Sequence, residues 1–325
     1  MNLPVLSNEL LRQRLQHPSQ WLKGKVRMVL DTDTYNEIDD QFALVYSLLA
    51  PEKLKVEAIY AAPFTNQRSS GPGDGMEKSF EEILRLLARL RVPSEGFVYR
   101  GSTAYLSDSA VAERSAAALD LVERAMASPE DDPLYVVAIG AITNVASALL
   151  IEPEILRRIV VVWLGGNPPA LPHTVEFNLM QDVKASRLMF DSGVPLVHVP
   201  CLGVASHLLT TRTELAETIQ GRNAISDFLY ERFCEYSQDH FAWAKEIWDI
   251  ATIAYLLNED WVPSWLVPSP VLVGELKIER EPEFKVTGEL HFEQEPDRHP
   301  VREAWFIRRN PVFRDLFTRL QNFQG

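Results

Sequence analysis

The chain has 325 residues, 46% of them hydrophobic, which is enough to bury a large core in one α/β domain or in two smaller ones. Its net charge of -13 argues against nucleic acid or an anionic membrane as the main partner, because phosphate binding needs a clustered positive face. Residues 1–25 lack the unbroken apolar stretch of a signal peptide and no later run is as long as a membrane span, so we expect a cytoplasmic protein. Cys201 and Cys234 lie far apart without CxxC spacing and are predicted to be reduced thiols.

Between residues 25 and 199, apolar runs of strand length alternate with apolar residues at helical spacing. Strands are predicted at 25–30, 54–62, 97–100, 134–139, 159–164 and 195–199. Helices are predicted at 40–50, 76–90, 108–128, from 144 onward, and at 182–192. This order predicts an α/β fold with a mostly parallel central sheet, helices on both faces and functional loops gathered at one edge.

The remainder of the chain is predicted to be helical from Thr213 to Leu257 and to continue with short strands. Strands are expected at 271–279, 286–293 and within 304–309, before a final helix at 312–321. No segment rich in Gly, Pro or Ser marks a boundary. Residues 1–325 are therefore predicted to form a single domain with a helical and short β C-terminal part.

Five acids lie within ten positions where the first strand passes into the first helix: Asp31, Asp33, Glu37, Asp39 and Asp40. Like charges this close raise one another's pKa, and the run contains no Lys or Arg to balance them. A divalent metal ion is the simplest counter-charge, and an oxygen-only ligand set favours calcium or magnesium over zinc. Helix capping by Asp explains one or two of these residues without any function, but not five.

The acidic run is expected at the carboxyl edge of the sheet, where open α/β sheets bind their ligands. Three further loops are predicted to meet it there, at 63–67, 139–144 and 165–178, and the loop 200–207 is another candidate. Polar residues from distant parts of the chain are thus predicted to form one site.

Five local motifs in these loops occur in the order in which a known family carries them. They are DTDTYNEIDD, which resembles DxDPGxDD; Asn66-Gln67, which resembles Gly-Asn-Gln; residues 139–146, which resemble TGPLTNIA; the Glu-Phe-Asn at 176–178; and Asp249, which resembles a final metal ligand. On these residues the chain resembles the inosine-uridine-preferring nucleoside hydrolase family, and the resemblance extends from Val26 to the final helix.

The resemblance implies calcium-dependent hydrolysis of the N-glycosidic bond of a ribonucleoside to sugar and free base. It implies that the calcium ion is held by Asp33, Asp40, Asp249 and the main-chain oxygen of Ile139. The residue types suit this chemistry, because carboxylates stabilise an oxocarbenium-like sugar and a metal lowers the pKa of a bound water. Asp33 is expected to take the proton of that water.

The same resemblance assigns the sugar site and the assembly. Asp39 is expected to bind a ribose hydroxyl, and Asn66, Glu176 and Asn178 to hold the rest of the sugar. Family members also imply a homodimer or homotetramer, which composition neither supports nor opposes.

The chain departs from the family pattern in three places. Between Asp33 and Asp39 stand five residues, TYNEI, where the family has three, so a bulged loop is expected to bring Tyr35, Asn36 or Glu37 toward the sugar.

Trp248 precedes Asp249 where the pyrimidine-accepting branch has an acidic His; its indole either stacks on a purine or packs in the core. The family's His-Gly segment after the third strand is missing, and His173, His207 and His240, near candidate loops, are not assigned a catalytic role.

Two other functions fit parts of the pattern. Asp31-Thr32-Asp33-Thr34 matches the DxDxT nucleophile motif of haloacid-dehalogenase-type phosphatases, with Asp31 as nucleophile, although the late Gly-Asp-x-x-x-Asp motif is missing. A non-catalytic, calcium-dependent sugar-binding protein would keep the carboxylates and lack turnover. An EF-hand is excluded, because Asn36 occupies the position of its required Gly.

Overall fold

The main feature of the computed structural model, which describes residues 3–106, 111–279 and 285–324, is an eight-stranded sheet. The strands in chain order are β1 Val26–Thr32, β2 Leu54–Ala61, β3 Val98–Arg100, β4 Leu134–Ala138, β5 Ile159–Leu164, β6 Leu196–Val199, β7 Leu209–Thr210, β8 Lys245–Glu246, β9 Ser264–Pro268, β10 Val271–Glu279, β11 Lys285–Glu293 and β12 Pro300–Ala304. The sheet has the order β3-β2-β1-β4-β5-β6-β12-β9. Its strands are parallel except for the edge strand β9, which pairs antiparallel with β12.

Both faces of this sheet are covered, as expected for parallel strands joined by helical crossovers. The helices are α1 Asn8–Arg14, α2 Asp39–Leu48, α3 Pro72–Leu90, α4 Ala116–Ala127, α5 Thr143–Ile151, α6 Phe177–Gln181, α7 Val183–Asp191, α8 Arg212–Thr218, α9 Ala224–Tyr236, α10 Ile250–Leu257 and α11 Arg309–Asn322. No helix within the described ranges combines the length and the hydropathy needed to cross a bilayer.

Alternate residues of each central strand enter two separate hydrophobic cores. Met28 and Leu30 of β1 join one core with α2, α3, α9, α10 and α11, whereas Val29 joins the other with α1, α4, α5 and α7. The same alternation occurs in β4, where Val137 faces the first core and Val136 the second. The predicted mostly parallel sheet with helices on both faces is therefore confirmed.

The order of strands places a cleft between β1 and β4. Helix α2, which follows β1, packs on one face of the sheet, and α5, which follows the neighbouring strand β4, packs on the other. Loops that leave adjacent parallel strands toward opposite faces open a crevice at the carboxyl ends of those strands. The acidic run after β1 and the loop after β4 both border this crevice.

Several predicted elements differ from the structure. The segment 237–249 is not helical apart from the boundary with α10, and instead forms a loop that contains β8 and Ala242 at a φ of 51°. The strand expected within 304–309 is wrong, because β12 ends at Ala304 and α11 begins at Arg309. Helix α4 begins at Ala116 rather than at 108, and residues 107–110 lie outside the described ranges.

Helix α3 begins at Pro72, four residues earlier than expected from the glycine-rich sequence before it. A proline in the first turn lacks only a donor that the helix would not use there, and Asp74 is favourable at the same end. Helix α1 and the edge strand β9 were not predicted. The assignment of residues 1–325 to one domain stays a prediction, although the main sheet takes strands from Val26 through Ala304.

Candidate active site

A cavity of ≈ 190 Å³, open to solvent, lies at the crevice between β1 and β4. It is lined by Asp33, Asn36, Glu37, Asp39, Asp40, Ile139, Leu164, Glu176, Phe177, Asn178, Cys201, Trp248 and Asp249. The loops after β1, β4, β5 and β6 all contribute residues, so the expected meeting of distant loops occurs here.

Three carboxylates converge at the floor of this cavity. Asp39, Asp40 and Asp249 each place an oxygen within 4.8 Å of the others, and all three side chains are buried. The first two belong to the first turn of α2, and Asp249 immediately precedes α10. None of these carboxylates caps its helix: α2 has Ile38 at its N-cap without a side-chain capping bond, and Asp249 makes no such bond at α10. The capping explanation for the acids therefore fails.

Asp33 joins this cluster from the end of β1. Both of its carboxylate oxygens are buried and receive no hydrogen bond. Burial and the negative charges of Asp40 and Asp39 raise the pKa of Asp33 well above its ordinary value. Gly140 lies beside the Asp33 side chain. A Cβ at position 140 would lie 3.1 Å from the Asp33 Cγ, so glycine at this position leaves room for the carboxylate.

The pKa values of Asp40 and Asp249 are raised by burial and neighbouring charge in the same way as that of Asp33. Burial, followed by the charge of Asp39, raises the pKa of Asp40, although the Thr32 hydroxyl donates a hydrogen bond of 2.6 Å to its Oδ1. Burial and then the charges of Asp39 and Asp40 raise the pKa of Asp249. Carboxyl groups that are buried together, with several oxygens unpaired, are a donor set that fits a hard divalent cation.

Ile139 lines the cavity directly after β4, and its carbonyl is the group that the resemblance implies as a metal ligand. It accepts a hydrogen bond of 3.1 Å from the side-chain amide of Asn178, which also donates to the carbonyl of Leu164 at 3.0 Å. Asn178 thus fixes the ends of two neighbouring strands. A carbonyl oxygen has a second lone pair, so this bond leaves Ile139 able to bind another group.

Glu176 lies at the N-cap of the short helix α6. Its carboxylate accepts main-chain hydrogen bonds from Gly166 at 2.7 Å, Asn178 at 3.0 Å and Leu179 at 3.1 Å. Burial raises the pKa of Glu176, and these three donors oppose the rise. The residue therefore holds α6 against the loop after β5 while its side chain lines the cavity.

The inserted residues after Asp33 form a fixed wall of the cavity. Asn36 and Glu37 line it, whereas the ring of Tyr35 lies against the guanidinium of Arg68, with the Arg68 Cζ 5.6 Å from the ring centroid. Arg68 also donates to the carbonyls of Tyr35 and Asn36 at 3.1 and 2.7 Å. Asn66 is not a lining residue, but its amide donates to Asn36 Oδ1 at 2.7 Å and so supports this wall.

Trp248 borders both the cavity and the hydrophobic core. Its half-buried side chain lines the cavity beside the acids, and it also packs against the hydrophobic core that contains α10. The three histidines near candidate loops do not line the cavity: His173 is exposed, His207 contacts Phe306, and His240 bonds the carbonyl of Cys234.

Sequence reasoning missed the contact between Asp31 and Asn144. Asp31 is completely buried in β1, and the Asn144 amide donates to its Oδ1 at 2.7 Å, while burial raises the pKa of Asp31 to about 7. A carboxylate without solvent access cannot attack a phosphate ester, so the phosphatase interpretation lacks its nucleophile. The position of Asn144 in the motif after β4 is a signal that could have indicated this contact. No local signal places Lys245 beside Glu37.

The fold and the site define an α/β enzyme with a carboxylate centre that suits a metal ion. A family model described as inosine-uridine preferring nucleoside hydrolase matches residues 28–300. The chain belongs to this family and is an N-glycosyl hydrolase, and the resemblance drawn from the motifs is confirmed.

Curated relatives and solved structures agree with this assignment. The chain is 28% identical over 262 residues to the pyrimidine-specific ribonucleoside hydrolase RihA of Salmonella typhimurium and 26% identical to that of Klebsiella pneumoniae, in each case over 72% of this chain and 80% of the relative. Its fold is similar to that of a purine-preferring ribonucleoside hydrolase from Gardnerella vaginalis, with a TM-score of 0.69 and 20% identity over 91% of this chain and 98% of the other. A plant nucleoside hydrolase gives a TM-score of 0.67 with 19% identity over 91% and 99%.

Proposed function

We propose that this protein hydrolyses the N-glycosidic bond of a ribonucleoside, or of a related N-riboside, in a calcium-dependent reaction that slightly favours purines. The observation that carries the proposal is the convergence of Asp39, Asp40 and Asp249 with Asp33 in one open cavity. These side chains come from chain positions more than 200 residues apart, and their mutual repulsion has no structural benefit without a cation.

In this proposal Asp33, Asp40, Asp249 and the carbonyl of Ile139 hold the calcium ion. When bound, calcium lowers the pKa of a water molecule and neutralises the carboxylates around it. Calcium rather than zinc is proposed because each of these ligands offers oxygen.

Asp33 is proposed as the base that accepts a proton from the attacking water. Its two oxygens are unpaired at the cavity, and no bond commits them elsewhere. As the bond from the sugar to the base breaks, positive charge develops on the sugar, and the surrounding carboxylates stabilise it. Asp39 is proposed to bind a ribose hydroxyl, while Glu176 and Asn178 bind the rest of the sugar; Asn66 acts there through Asn36, its hydrogen-bond partner.

The preference for purines rests on Trp248. An indole face in the cavity offers a larger stacking area to a purine than to a pyrimidine. The names of similar proteins point both ways, since one relative is called pyrimidine-specific and one solved structure purine-preferring. A comparison of inosine with uridine decides between them.

The test is a screen of purine and pyrimidine ribonucleosides with detection of the reducing sugar, with calcium or with a chelator. We expect turnover that requires the metal, and near loss of turnover in Asp33→Ala with an unchanged circular dichroism spectrum. Asp297→Asn, at an exposed acid away from the cavity, is the matched control and should retain wild-type rate. Metal binding without turnover of any nucleoside would instead support a sugar-binding protein, and a rate unaffected by the chelator would refute the metal dependence.

The dimeric or tetrameric state and the cytoplasmic location remain predictions. Analytical ultracentrifugation of the full chain tests the first, and a sedimentation mass equal to that of one chain would contradict it.

A further inference from the structure

One buried cation lies against the cavity wall and has no part in the roles assigned above. Lys245, in the short strand β8, has a side chain only 8% exposed. Its Nζ lies 2.7 Å from the Glu37 Oε2 and donates to the carbonyl of Glu246 at 3.1 Å. Burying an ammonium group is unfavourable unless it is paired, and Glu37, whose side chain is 36% exposed, supplies the partner of Lys245.

The ammonium group of Lys245 lies close to Trp248, on the side of the cavity that this indole lines. Its Nζ lies 5.8 Å from the centroid of the Trp248 ring and 5.0 Å from that of Tyr236. Glu37 and Trp248 both line the cavity, so the ammonium group sits directly behind two of its walls. Burial disfavours the charge of Lys245, but Asp39 and Glu37 outweigh this effect and raise its pKa, so the group stays protonated.

Lys245 is a positive charge beside an otherwise acidic cavity. Asp33, Asp39, Asp40 and Asp249 make the cavity negative, which suits a metal ion and a sugar that becomes positive. The ammonium of Lys245 lies next to the ring of Trp248, which lines this cavity. During cleavage the leaving base becomes negative, and a fixed cation beside the indole proposed to stack on that base stabilises the anion as it forms.

We propose that Lys245, oriented by Glu37 of the inserted loop, stabilises the negative charge that builds on the departing base. This inference rests on the proposed function and gives the leaving base a group that acts on it. It also assigns a purpose to the two extra residues of the loop 34–38, since Glu37 reaches Lys245 from that lengthened loop.

The electron count is complete without any further reactant. The bond between the sugar C1′ and the base nitrogen breaks with both electrons going to the nitrogen, and the water oxygen forms the new bond to C1′. One water proton goes to Asp33 and later to solvent, and the base anion takes a proton from solvent. Lys245 gains and loses no proton; it lowers the energy of the anion while it forms.

The experiment compares two substrates that differ in how much help their leaving group needs. Inosine releases a base whose anion is more basic, and therefore a poorer leaving group, than the p-nitrophenolate that p-nitrophenyl β-ribofuranoside releases. We expect Lys245→Met to lower kcat on inosine by about 100-fold, the order expected for the loss of one preorganised positive charge near the leaving group, and to leave kcat on the nitrophenyl riboside close to wild type. Lys245→Arg keeps the charge and should restore most of the inosine rate.

Matched controls separate this role from a structural one. Lys55→Met removes a lysine that is 63% exposed on β2 and should change neither rate. Should Lys245→Met fail to fold, Lys245→Gln retains a polar side chain without the charge and is measured in its place. Equal losses on both substrates, or unchanged inosine turnover, would overturn the proposal while the hydrolase function stands. Wild-type protein that cleaves neither substrate would overturn the proposed function, and this inference with it.

Discussion

Replacement of Asp40 by Asn is predicted to change stability in opposite directions with and without metal. The Asp40 carboxylate lies within 4.8 Å of carboxylate oxygens of Asp39 and Asp249. Two unit charges at that distance repel by about 3 kcal/mol at an effective dielectric constant of about 20. Protonation already relieves part of this repulsion in the metal-free protein, so we expect Asp40→Asn to stabilise it by about 2 kcal/mol at mildly alkaline pH.

With calcium the order reverses. At a calcium concentration of about 1,000 times Kd, the wild-type protein gains about 4 kcal/mol because the ion binds only the folded state. The variant loses one ligand and should gain much less. Asparagine keeps an oxygen that can accept the 2.6 Å bond from the Thr32 hydroxyl, so the loss reflects the charge rather than that contact.

The assay is urea denaturation followed by circular dichroism, in chelator and in calcium, for wild type, Asp40→Asn and the surface control Asp297→Asn. The control should follow wild type in both conditions, since residue 297 is exposed. A variant that is less stable than wild type in chelator would refute the repulsion between these carboxylates. An undiminished calcium effect in the variant would remove Asp40 from the ligand set.

Two further predictions concern the buried polar residues beside the cavity. In chelator, the free energy of unfolding should fall as pH rises from about 4 toward 7. Burial raises the pKa of Asp31 to about 7 and that of Asp39 to about 6, so in this range the folded protein holds protons that the unfolded chain has released. Each unit of difference in pKa is worth about 1.4 kcal/mol. Thermal unfolding across this pH range checks it, and stability that rises with pH would contradict it. Asn144→Ala should lower the free energy of unfolding, measured by urea denaturation, by about 3 kcal/mol. The substitution removes the donor to Asp31 and the acceptor of the 2.7 Å hydrogen bond from the Ser102 N–H. A loss under about 1 kcal/mol would show that water replaces both bonds.

Where the sequence has continuous, mostly apolar runs, it predicted the fold closely. The strands β4, β5 and β6 are buried on both faces, and their bounds differ from the prediction by at most one residue. Strand β1 extends to Thr32, because Asp31 and Thr32 pair with Tyr60 and Ala61 although their composition is typical of a loop. Ladder hydrogen bonds depend on neighbouring strands, which a local pattern does not contain.

The segment 237–249 shows the opposite case. Its residues have apolar spacing that favours a helix, but the chain must pass the cavity there and pairs as β8 with β7. Tertiary contacts override local propensity in such a segment. This loop also carries Lys245 to Glu37, an ion pair between residues about 200 positions apart that no local signal announces.

The acidic site was predictable for a different reason. A run of five acids at the end of a strand is costly unless something binds it, so its function could be inferred from the charges alone. The contribution of Asp249 required either the family motif or the structure, because nothing in its own neighbourhood distinguishes it from a helix cap. The structure brings it to Asp39 and Asp40 without a capping bond.

The most direct test is a calorimetric titration of chelator-treated protein with calcium chloride, for wild type and Asp249→Asn. If Asp33, Asp40 and Asp249 share a cation, wild type binds one calcium ion per chain and the variant binds it far more weakly, while Asp297→Asn binds like wild type. Wild-type protein that takes up no divalent ion, or an Asp249→Asn variant with unchanged affinity, would contradict the claim that acids from two distant parts of the chain form a single metal centre.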